Sequence, residues 1–344
     1  MSTTNKTIGF GILGAGMIAN FHKMAVESNA DIGAKMVAIG HYNPERFDAI
    51  SEEFGLPCMS EADLLAHPDI DVICLCTPSG QHPAQTIAAA KAGKHVIVEK
   101  PIALNLADAD AMIAACEEAG VKLGVALQRR AEPHFQRVYS AIEAGDFGEL
   151  TLGSVLIPYH RPQAYYDQAE WRGTWDLDGG GVLMNQGVHL VDLLVWFMGD
   201  PVETKAFAQT AKRDIEVEDL AAATMRFENG GYATITATTT TDPGFPHRVE
   251  IYGTKGGVQI EGDVISQWLL ANPDEAQVEP FVSDEVAEAG AASDPRGIKA
   301  TGHINIFRDF IECLREDRPP AIDGAEGRRS LAAVLQVYEA AGIR

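Results

Sequence analysis

The first 130 residues alternate short apolar runs with helical patterns, and this alternation constrains the fold more than any other feature of the chain. The apolar runs predict strands over 8–13, 35–40, 71–76, 95–100 and 122–127. The patterns between them predict helices over 17–28, 44–55, 83–93 and 106–120. Strands that are apolar along their whole length and alternate with helices form a parallel sheet covered on both faces. We therefore expect an α/β domain with a doubly wound parallel sheet over residues 1–130.

The segment "GILGAGMIA" (11–19) joins the first predicted strand to the first predicted helix. Gly14 permits the tight turn of the Rossmann fingerprint, and Gly16 lets the backbone approach a pyrophosphate. The amides of Met17 and Ile18 lie at the helix N-terminus, where N–H groups and the positive end of the helix dipole bind phosphate. The motif in this context predicts a bound dinucleotide; a turn of an α/β domain that binds another ligand is the alternative.

The end of the second predicted strand bears on the choice of cofactor. The fingerprint requires an acidic residue roughly 20 positions further on, which binds the ribose 2′-hydroxyl of NAD. This chain has "AIGHYNPER" there, with Gly40 or His41 where the acid is expected. An acid would repel a 2′-phosphate, whereas His41 and Arg46 could bind one, so the sequence slightly favours NADP over NAD. An ordinary charge on the helix surface is the alternative role of Arg46.

The segment "VIVEKPIA" (96–103) ends an apolar run with Glu99 and Lys100, directly before Pro101. Glu and Lys are rarely buried without a partner, so Lys100 is either a surface residue at a strand end or a functional group. Its position favours a function, because open parallel sheets bind ligands at the carboxyl ends of their strands. We expect this edge to contact the cofactor. The same edge carries further residues that follow predicted strands: Thr77, Pro78, His82 and Gln128.

After about residue 130 the pattern changes, and we expect a second domain over residues 131–344. Short strand patterns between 202 and 270 are separated by turn residues such as "NGG" and "TKGG". They predict an antiparallel meander in an α+β domain. An acidic, Ala-rich stretch (273–296) predicts an exposed loop, and two helices are expected to end the chain.

A predicted helix over 179–198 contains "GGGVLMNQGVHLVDLL", in which Asn185, His189 and Asp192 stand at i, i+4 and i+7. On an α-helix this spacing places them on one face. A histidine bonded inside the core is the alternative, but a dinucleotide domain needs an acid–base group on a second surface, and His189 is the best candidate.

The loop "PYHRPQAYYDQAEWR" (158–172) offers the hydroxyl, amide and charged groups that recognise sugar hydroxyls. A polar surface loop is its alternative reading.

The chain of 344 residues carries a formal net charge of −22, which argues against anionic partners. Such a charge repels nucleic acid phosphates and anionic membrane surfaces, so we expect neither. No run of about 18 apolar residues predicts a membrane span, and the N-terminal residues lack the apolar region of a signal peptide. Five cysteines without a framework spacing predict free thiols, and the pattern yields no metal site. These features predict a cytoplasmic protein.

Together the motifs resemble the Gfo/Idh/MocA oxidoreductases, which include glucose–fructose oxidoreductase and inositol dehydrogenase. The resemblance covers essentially the whole chain and rests on "GILGAGMIA", "CTPSGQHP", "VIVEKPIALN", "QRR", "WRGTW" and "GGGVLMNQGVHLVDLLVWFMG". It implies that Lys100 and His189 are catalytic, and that Trp171 and Arg172 reach the cofactor. Asn185 stands where the family often has Asp. Asn185 is the third expected catalytic residue, and since an amide cannot take up a proton, it is expected to act by binding a substrate hydroxyl.

The resemblance also implies a fold, an assembly and a reaction. The second domain would be built on a large, open, mainly antiparallel sheet, and its uncovered face would form a homodimer or homotetramer. The enzyme would oxidise, reversibly, a secondary alcohol of a sugar, polyol or sugar derivative with NAD or NADP. His189 would take the hydroxyl proton while Lys100 stabilises the developing alkoxide. The expected substrate contacts are Lys100, His160, Tyr165, Tyr166, Asn185 and His189.

Two other functions stay open at this point. A chain with this fold could keep its cofactor bound and hydrolyse a glycoside through a transient oxidation, with no net change in redox state. It could also be a non-catalytic sensor that binds the cofactor, although the presence of both Lys100 and His189 argues against that role.

Overall fold

The computed structural model describes residues 7–288, 290–293 and 299–344, which divide into two compact units. The first unit contains the described residues up to Ala131 together with Lys299–Arg328. The second contains the described residues between Glu132 and Ile298 together with Arg329–Arg344. In the expected loop (273–296), residues 289 and 294–296 lie outside the described ranges, and most of the remaining residues are exposed.

A parallel sheet forms the centre of the first unit. Its strands are β1 (Ile8–Leu13), β2 (Ala34–Gly40), β3 (Cys58–Met59), β4 (Val72–Leu75), β5 (His95–Glu99) and β6 (Leu123–Ala126). The order β3-β2-β1-β4-β5-β6 reverses between β1 and β4, and all its strand pairs are parallel. The predicted doubly wound sheet is confirmed, with the two-residue β3 as an addition. Ligands bind at such a reversal point, beside the carboxyl ends of the strands.

A second sheet, mainly antiparallel, forms the centre of the second unit. Its strands are β7 (Leu150–Pro158), β8 (Pro201–Gln209), β9 (Leu220–Phe227), β10 (Tyr232–Thr238), β11 (Arg248–Gly253), β12 (Gly256–Glu261) and β13 (Val264–Leu270). The order is β13-β12-β11-β7-β10-β9-β8. The predicted antiparallel sheet is confirmed, except that β7 inserts between β11 and β10 and pairs with β10 in parallel.

Helices cover these sheets. In chain order the α-helices of the described residues are α1 (Met17–Ser28), α2 (Phe47–Phe54), α3 (Glu61–Ala66), α4 (His82–Lys91), α5 (Leu106–Ala119), α6 (Pro133–Glu143), α7 (Gln163–Tyr166), α8 (Val188–Met198), α9 (Gly290–Ser293), α10 (Thr301–Glu316) and α11 (Gly324–Ala341). Local sequence sets their ends: Asn105 caps α5 by accepting the N–H of Asp108, and Gly120 ends it in the left-handed region. Within the described ranges, none of the helices is long and apolar enough to cross a bilayer.

The helix α10 packs in the first unit, whereas the sequence predicts it in the second domain. The Phe307 ring of α10 lies 5.8 Å from the ring of Phe10 in β1, centroid to centroid. Gly302 lies so close to the backbone oxygen of Gln128 that a Cβ would overlap it. An amphipathic pattern predicts that a helix covers a core, but it does not say which sheet the helix returns to.

Candidate functional site

The fingerprint loop lies between β1 and α1 and has the geometry that a pyrophosphate requires. Gly14 adopts a φ of 103°, a region that favours glycine, and a Cβ there would lie 2.6 Å from the Cys76 backbone oxygen. A Cβ on Gly16 would meet no atom within 4 Å, so open space lies beside the first turn of α1. At that turn Met17 is exposed and Ile18 is half-buried. The loop and the helix N-terminus therefore fit the phosphates of a dinucleotide.

The position directly after β2, where the fingerprint requires an acid, holds His41. His41 is buried, and its Nδ1 accepts the backbone N–H of Asn43 over 3.1 Å. Arg46 is exposed, and within the described part of the chain no hydrogen bond or ion pair engages its guanidinium. Of the two groups expected beside a 2′-phosphate, the structure leaves Arg46 accessible and anchors His41 to its own loop.

His82 ties the ends of β4 and β5 together. Its side chain is fully buried, with Nδ1 3.0 Å from the Pro101 backbone oxygen and Nε2 3.1 Å from that of Thr77. Burial lowers the pKa of His82, so the ring is neutral and donates to one of the two oxygens. The sequence predicts that His82 contacts the cofactor; the structure shows a buried brace of this edge, and that contact stays a prediction. Thr77, Pro78 and Lys100 remain half-buried there.

Gln128 follows β6 and is 5% exposed. Within the described ranges, its buried Oε1 has no hydrogen-bond partner. A buried acceptor without a donor costs free energy, roughly 1–3 kcal/mol. The position of Gln128 at the carboxyl edge of the sheet therefore fits a donor supplied by a ligand, such as a carboxamide.

A buried cluster that the sequence analysis missed lies next to Lys100. Oε1 of Glu99 is 2.8 Å from Nε2 of His22 and 3.4 Å from Nε2 of His303. Oε2 of Glu99 accepts the backbone N–H of Lys100 over 3.2 Å. Burial would raise the pKa of Glu99, but the hydrogen bonds from His22 and His303 hold it well below its ordinary value. Glu99 is thus an ionised, inward-facing carboxylate that fixes the strand end, and its expected contact with the cofactor stays a prediction.

Two histidines and a carboxylate also form a common metal-ligand set, and here the ligand atoms lie within 4.8 Å of one another. In the described structure, however, Nδ1 of His22 and Nδ1 of His303 have no partner. A metal-bound histidine almost always donates its other N–H, so the arrangement favours hydrogen bonding. The sequence signal for this cluster is a polar residue on the buried face of a helix, since His22 lies between Ala19 and Val26.

The segment with Asn185 and His189 departs from the expected α-helix. Val182–Gln186 forms a π-helical turn, closed by the bond from the Gly187 N–H to the Val182 oxygen, and α8 begins after it. The expected i, i+4 spacing on one α-helix therefore does not apply. Within 181–195, Asn185 and His189 are nevertheless the only residues that are not buried. π-Helical turns of this kind are frequent at functional sites.

Asp178, which the sequence analysis did not single out, holds Asn185 in place. Nδ2 of Asn185 donates to Oδ1 of Asp178 over 2.6 Å, and the N–H of Gly173 donates to Oδ2 over 2.9 Å. Asp178 is 4% exposed. The carboxylate therefore connects Asn185 to the loop that contains Trp171 and Arg172.

Asp192 completes the predicted polar stripe, but its side chain is turned into the core. It is 1% exposed, and its Oδ1 accepts the hydroxyl of Ser330 in α11. Asp192 thus fixes α8 from inside, while His189 stays accessible on the surface of the second unit.

Trp171 and Arg172 form a stack with Tyr165. The Arg172 guanidinium lies 4.5 Å from the Trp171 ring centroid and 4.4 Å from that of Tyr165. One terminal nitrogen of Arg172 donates to the Tyr165 hydroxyl over 2.6 Å. In the described residues, the buried Nε of Arg172 has no partner. The stack holds the guanidinium by cation–π contacts and leaves this donor for a ligand.

Tyr166 and His160 lie deeper than the sequence suggests. Tyr166 is 5% exposed, its hydroxyl lies 3.1 Å from Oγ1 of Thr239, and burial raises its pKa to about 12. His160 is half-buried, and within the described ranges its Nδ1 has no partner. Tyr166 and Arg172 contribute to the lining of an open cavity of about 610 Å³ in the second unit.

The chain matches two family models in tandem. Residues 8–127 match an oxidoreductase family with an NAD-binding Rossmann fold, and residues 135–259 match the GFO/IDH/MocA C-terminal domain. Inositol 2-dehydrogenase from Rhizobium meliloti (strain 1021) is 30% identical over 336 residues, which are 95% of this chain and 94% of that protein. 1,5-Anhydro-D-fructose reductase from Ensifer adhaerens is 30% identical over 339 residues, 96% of each protein.

A solved structure with the same fold is that of the WlbA dehydrogenase from Bordetella pertussis, in complex with NADH and UDP-GlcNAcA. It is 38% identical, covers 98% of this chain and 97% of its own, and superposes with a TM-score of 0.85. Together with the family models, this match confirms the resemblance that the motifs predict.

Proposed function

Because the chain belongs to the Gfo/Idh/MocA oxidoreductase family, we propose that it oxidises, reversibly, a secondary alcohol of a sugar or sugar derivative. The protein is an NAD-dependent oxidoreductase that acts on CH–OH groups. When bound, the nicotinamide supplies the carbon that accepts or gives the hydride. The side chains of the protein bind and orient the substrate and transfer the proton.

The observation that carries this proposal is that Asn185 and His189 are only half-buried. In a segment whose other residues are buried, these two alone reach the surface of the second unit. A titratable imidazole and an amide kept accessible in this way suit proton transfer and hydroxyl recognition.

Three side chains have assigned roles in the reaction. His189 takes the hydroxyl proton, a contribution typically worth about 10²–10⁴-fold in rate. Lys100 donates to the reacting oxygen and stabilises the charge that develops on it. Asn185 binds a hydroxyl group and takes no proton. We propose that Tyr165, Arg172 and His160 also contact the substrate, and that Tyr166 lines the cavity.

We place the substrate among nucleotide-linked sugar acids, since the relative with 38% identity holds UDP-GlcNAcA. The stacked Arg172, with its buried Nε, offers this chain a donor for an anionic or carbonyl oxygen. A neutral polyol such as inositol is the second candidate. It is favoured by the acidic residues that line the cavity, because they would repel an anion: Asp167, Glu170, Asp214 and Glu216.

The choice between NAD and NADP is a finer proposal. The NADH in the solved relative supports NAD. The accessible Arg46 and the missing acid after β2 support tolerance of a 2′-phosphate. We propose that NAD is preferred and that NADP is also used.

The assembly also belongs to the proposal. One face of the second sheet is uncovered and carries Phe207, which is 85% exposed, Tyr232 and Leu152. Exposed apolar side chains on one sheet face favour a partner, so we propose a homodimer or homotetramer through this face. We also propose that the protein is cytoplasmic. Phe207→Asp should lower the mass measured by light scattering, and an unchanged mass would exclude this face.

The first experiment mixes the protein with NAD or NADP and a panel of UDP-GlcNAcA, inositols and aldoses, while absorbance of the reduced nicotinamide is recorded. A rise with UDP-GlcNAcA alone supports the nucleotide-sugar substrate, and a rise with inositol alone favours the neutral polyol. Glycoside cleavage with no net change in reduced cofactor would instead reveal the redox-neutral hydrolase. Cofactor binding without turnover of any kind would favour a sensor.

Variants then test the assigned roles. Lys100→Met and His189→Ala should each lower turnover by about 10²–10⁴-fold and leave cofactor binding intact, as measured by fluorescence titration. Lys91→Met, at an exposed position in α4, is the matched control. Unchanged turnover in either site variant would remove that residue from the mechanism.

A further inference from the structure

Glu218, just before β9, accepts three consecutive backbone N–H groups at the start of the π-helical turn. Its Oε2 accepts from Gly181 over 2.7 Å, and its Oε1 accepts from Leu183 over 2.9 Å. Its backbone oxygen accepts from Val182 over 2.9 Å. The first N–H groups of a helical segment have no partners within it, so a single residue here supplies the missing acceptors.

Two glycines leave room for the contact of Glu218 with the turn, and a tyrosine donates a further hydrogen bond to Glu218. A Cβ on Gly181 would overlap the backbone oxygen of Glu218, and a Cβ on Gly180 would overlap the hydroxyl of Tyr338. That hydroxyl, from α11, donates to Oε1 of Glu218 over 2.8 Å. Burial and the neighbouring carboxylate raise the pKa of Tyr338, so it stays a neutral donor.

The N–H groups that Glu218 accepts lie close in the chain to the candidate catalytic residues. Leu183 is two positions before Asn185, and the turn Val182–Gln186 leads directly into α8 and His189. Glu218 itself is 1% exposed, so it has no access to a ligand. Any effect of Glu218 on the reaction must therefore pass through the backbone of the turn.

We propose that Glu218 is a positioning residue, which sets the π-helical turn and thereby the placement of Asn185 and His189. The proposal rests on the proposed function for the roles of those two residues. A carboxylate accepts N–H groups at both oxygens, whereas the amide of glutamine would turn an NH₂ donor towards one of the N–H groups. Glu218→Gln should therefore disturb the turn although its shape is almost the same.

Hydrogen exchange tests the geometric part without any substrate. At a pH above about 7, where Glu218 is ionised, amide exchange in peptides covering 181–190 of Glu218→Gln should rise by about tenfold, as the loss of one charge-assisted bond implies. Exchange elsewhere should change little, and Glu228→Gln, at an exposed turn after β9, should match the parent protein. Tyr338→Phe provides a milder second variant, and it should raise exchange in the same peptides. Unchanged exchange there in both variants would overturn the proposal.

Kinetics separate positioning from simple stabilisation. Below the melting temperature of each variant, kcat of Glu218→Gln should fall by about tenfold while the KM for NAD stays the same. A lower melting temperature with unchanged kcat would overturn the positioning role. If the parent protein turns over no substrate of the panel, the proposed function fails, and the exchange result still decides whether Glu218 sets the turn.

Discussion

Nδ2 of Asn185 donates to Oδ1 of Asp178 over 2.6 Å, and this bond fixes the orientation of the amide. A carboxylate only accepts, so the NH₂ group must face Asp178 and the amide oxygen must point the other way. Asn185 therefore turns its amide oxygen, an acceptor, away from Asp178. This matches a residue that binds a substrate hydroxyl and is never protonated.

Asp178→Asn tests that orientation. The new amide removes the charge, and an Asn in this position competes as a donor with Nδ2 of Asn185. A hydrogen bond to a charged group contributes about 1.5–3 kcal/mol, so we expect turnover to fall by about 10–100-fold. Steady-state kinetics would show this as a loss of kcat with the KM for NAD unchanged. Asp176→Asn, two positions earlier, is the control, and equal effects in both variants would contradict the interpretation.

Arg46 should discriminate between the two cofactors. Its guanidinium is exposed and has no ion-pair partner in the described structure, and the residue directly after β2 is His41 and not an acid. Arg46→Ala should therefore raise the KM for NADP by about tenfold, because a charge-assisted bond to the 2′-phosphate is lost, and leave the KM for NAD unchanged. A parallel rise for both cofactors would mean that Arg46 does not contact the 2′-phosphate.

Glu99 should couple cofactor binding to the placement of Lys100. It joins His22 of α1, the helix that begins at the fingerprint glycine, to the backbone N–H of Lys100. In Glu99→Gln the amide would turn a donor towards one of these N–H groups, so kcat should fall and the dissociation constant of NAD should rise, each by about tenfold. Both are measurable by kinetics and fluorescence titration.

The Glu99 prediction has a control variant and a test for a bound metal. Glu117→Gln, at an exposed position in α5, should change neither constant. A chelator should leave the activity of the parent protein unchanged, because hydrogen bonds account for the cluster of His22, Glu99 and His303. Activity lost to a chelator and restored by zinc would contradict that account.

Features of the fold that depend on neighbouring residues could be predicted from the sequence. Gly14 and Gly16 are required by the turn and the helix start beside them, and apolar strands alternating with helices leave few arrangements other than a parallel sheet. The catalytic candidates Lys100 and His189 were identified by motif and by resemblance, and the match to the family models confirms that resemblance.

Side-chain contacts between residues far apart in the chain could not be predicted from sequence patterns. His303 is 204 positions from Glu99, and no periodic pattern relates them. The π-helical turn adds a residue to the helical register, so Asn185 and His189 could not be placed from the α-helical period. The contacts of Asp178 and Glu218 depend on that same turn, which is why both residues were missed.

The stability of the fold should depend on pH through Glu218. Burial raises its pKa to about 7 from an ordinary value of 4.5. Between these values the folded chain keeps the proton that the unfolded chain has lost, so the folded state binds more protons. The free energy of unfolding should therefore fall as pH rises from about 4.5 to about 7, by at most ~1.4 kcal/mol per pH unit from this group. Below this window the contribution is fully present.

Glu218→Gln isolates this dependence from the other carboxyl groups of the chain. Urea unfolding of both proteins between about pH 4.5 and pH 8 gives the difference in free energy of unfolding, parent minus variant. That difference should decrease through the window and level off above about pH 7, because Gln does not titrate. A difference that stays constant, or that grows with pH, would show that Glu218 is ionised in the folded protein throughout, held so by the N–H groups of Gly181 and Leu183.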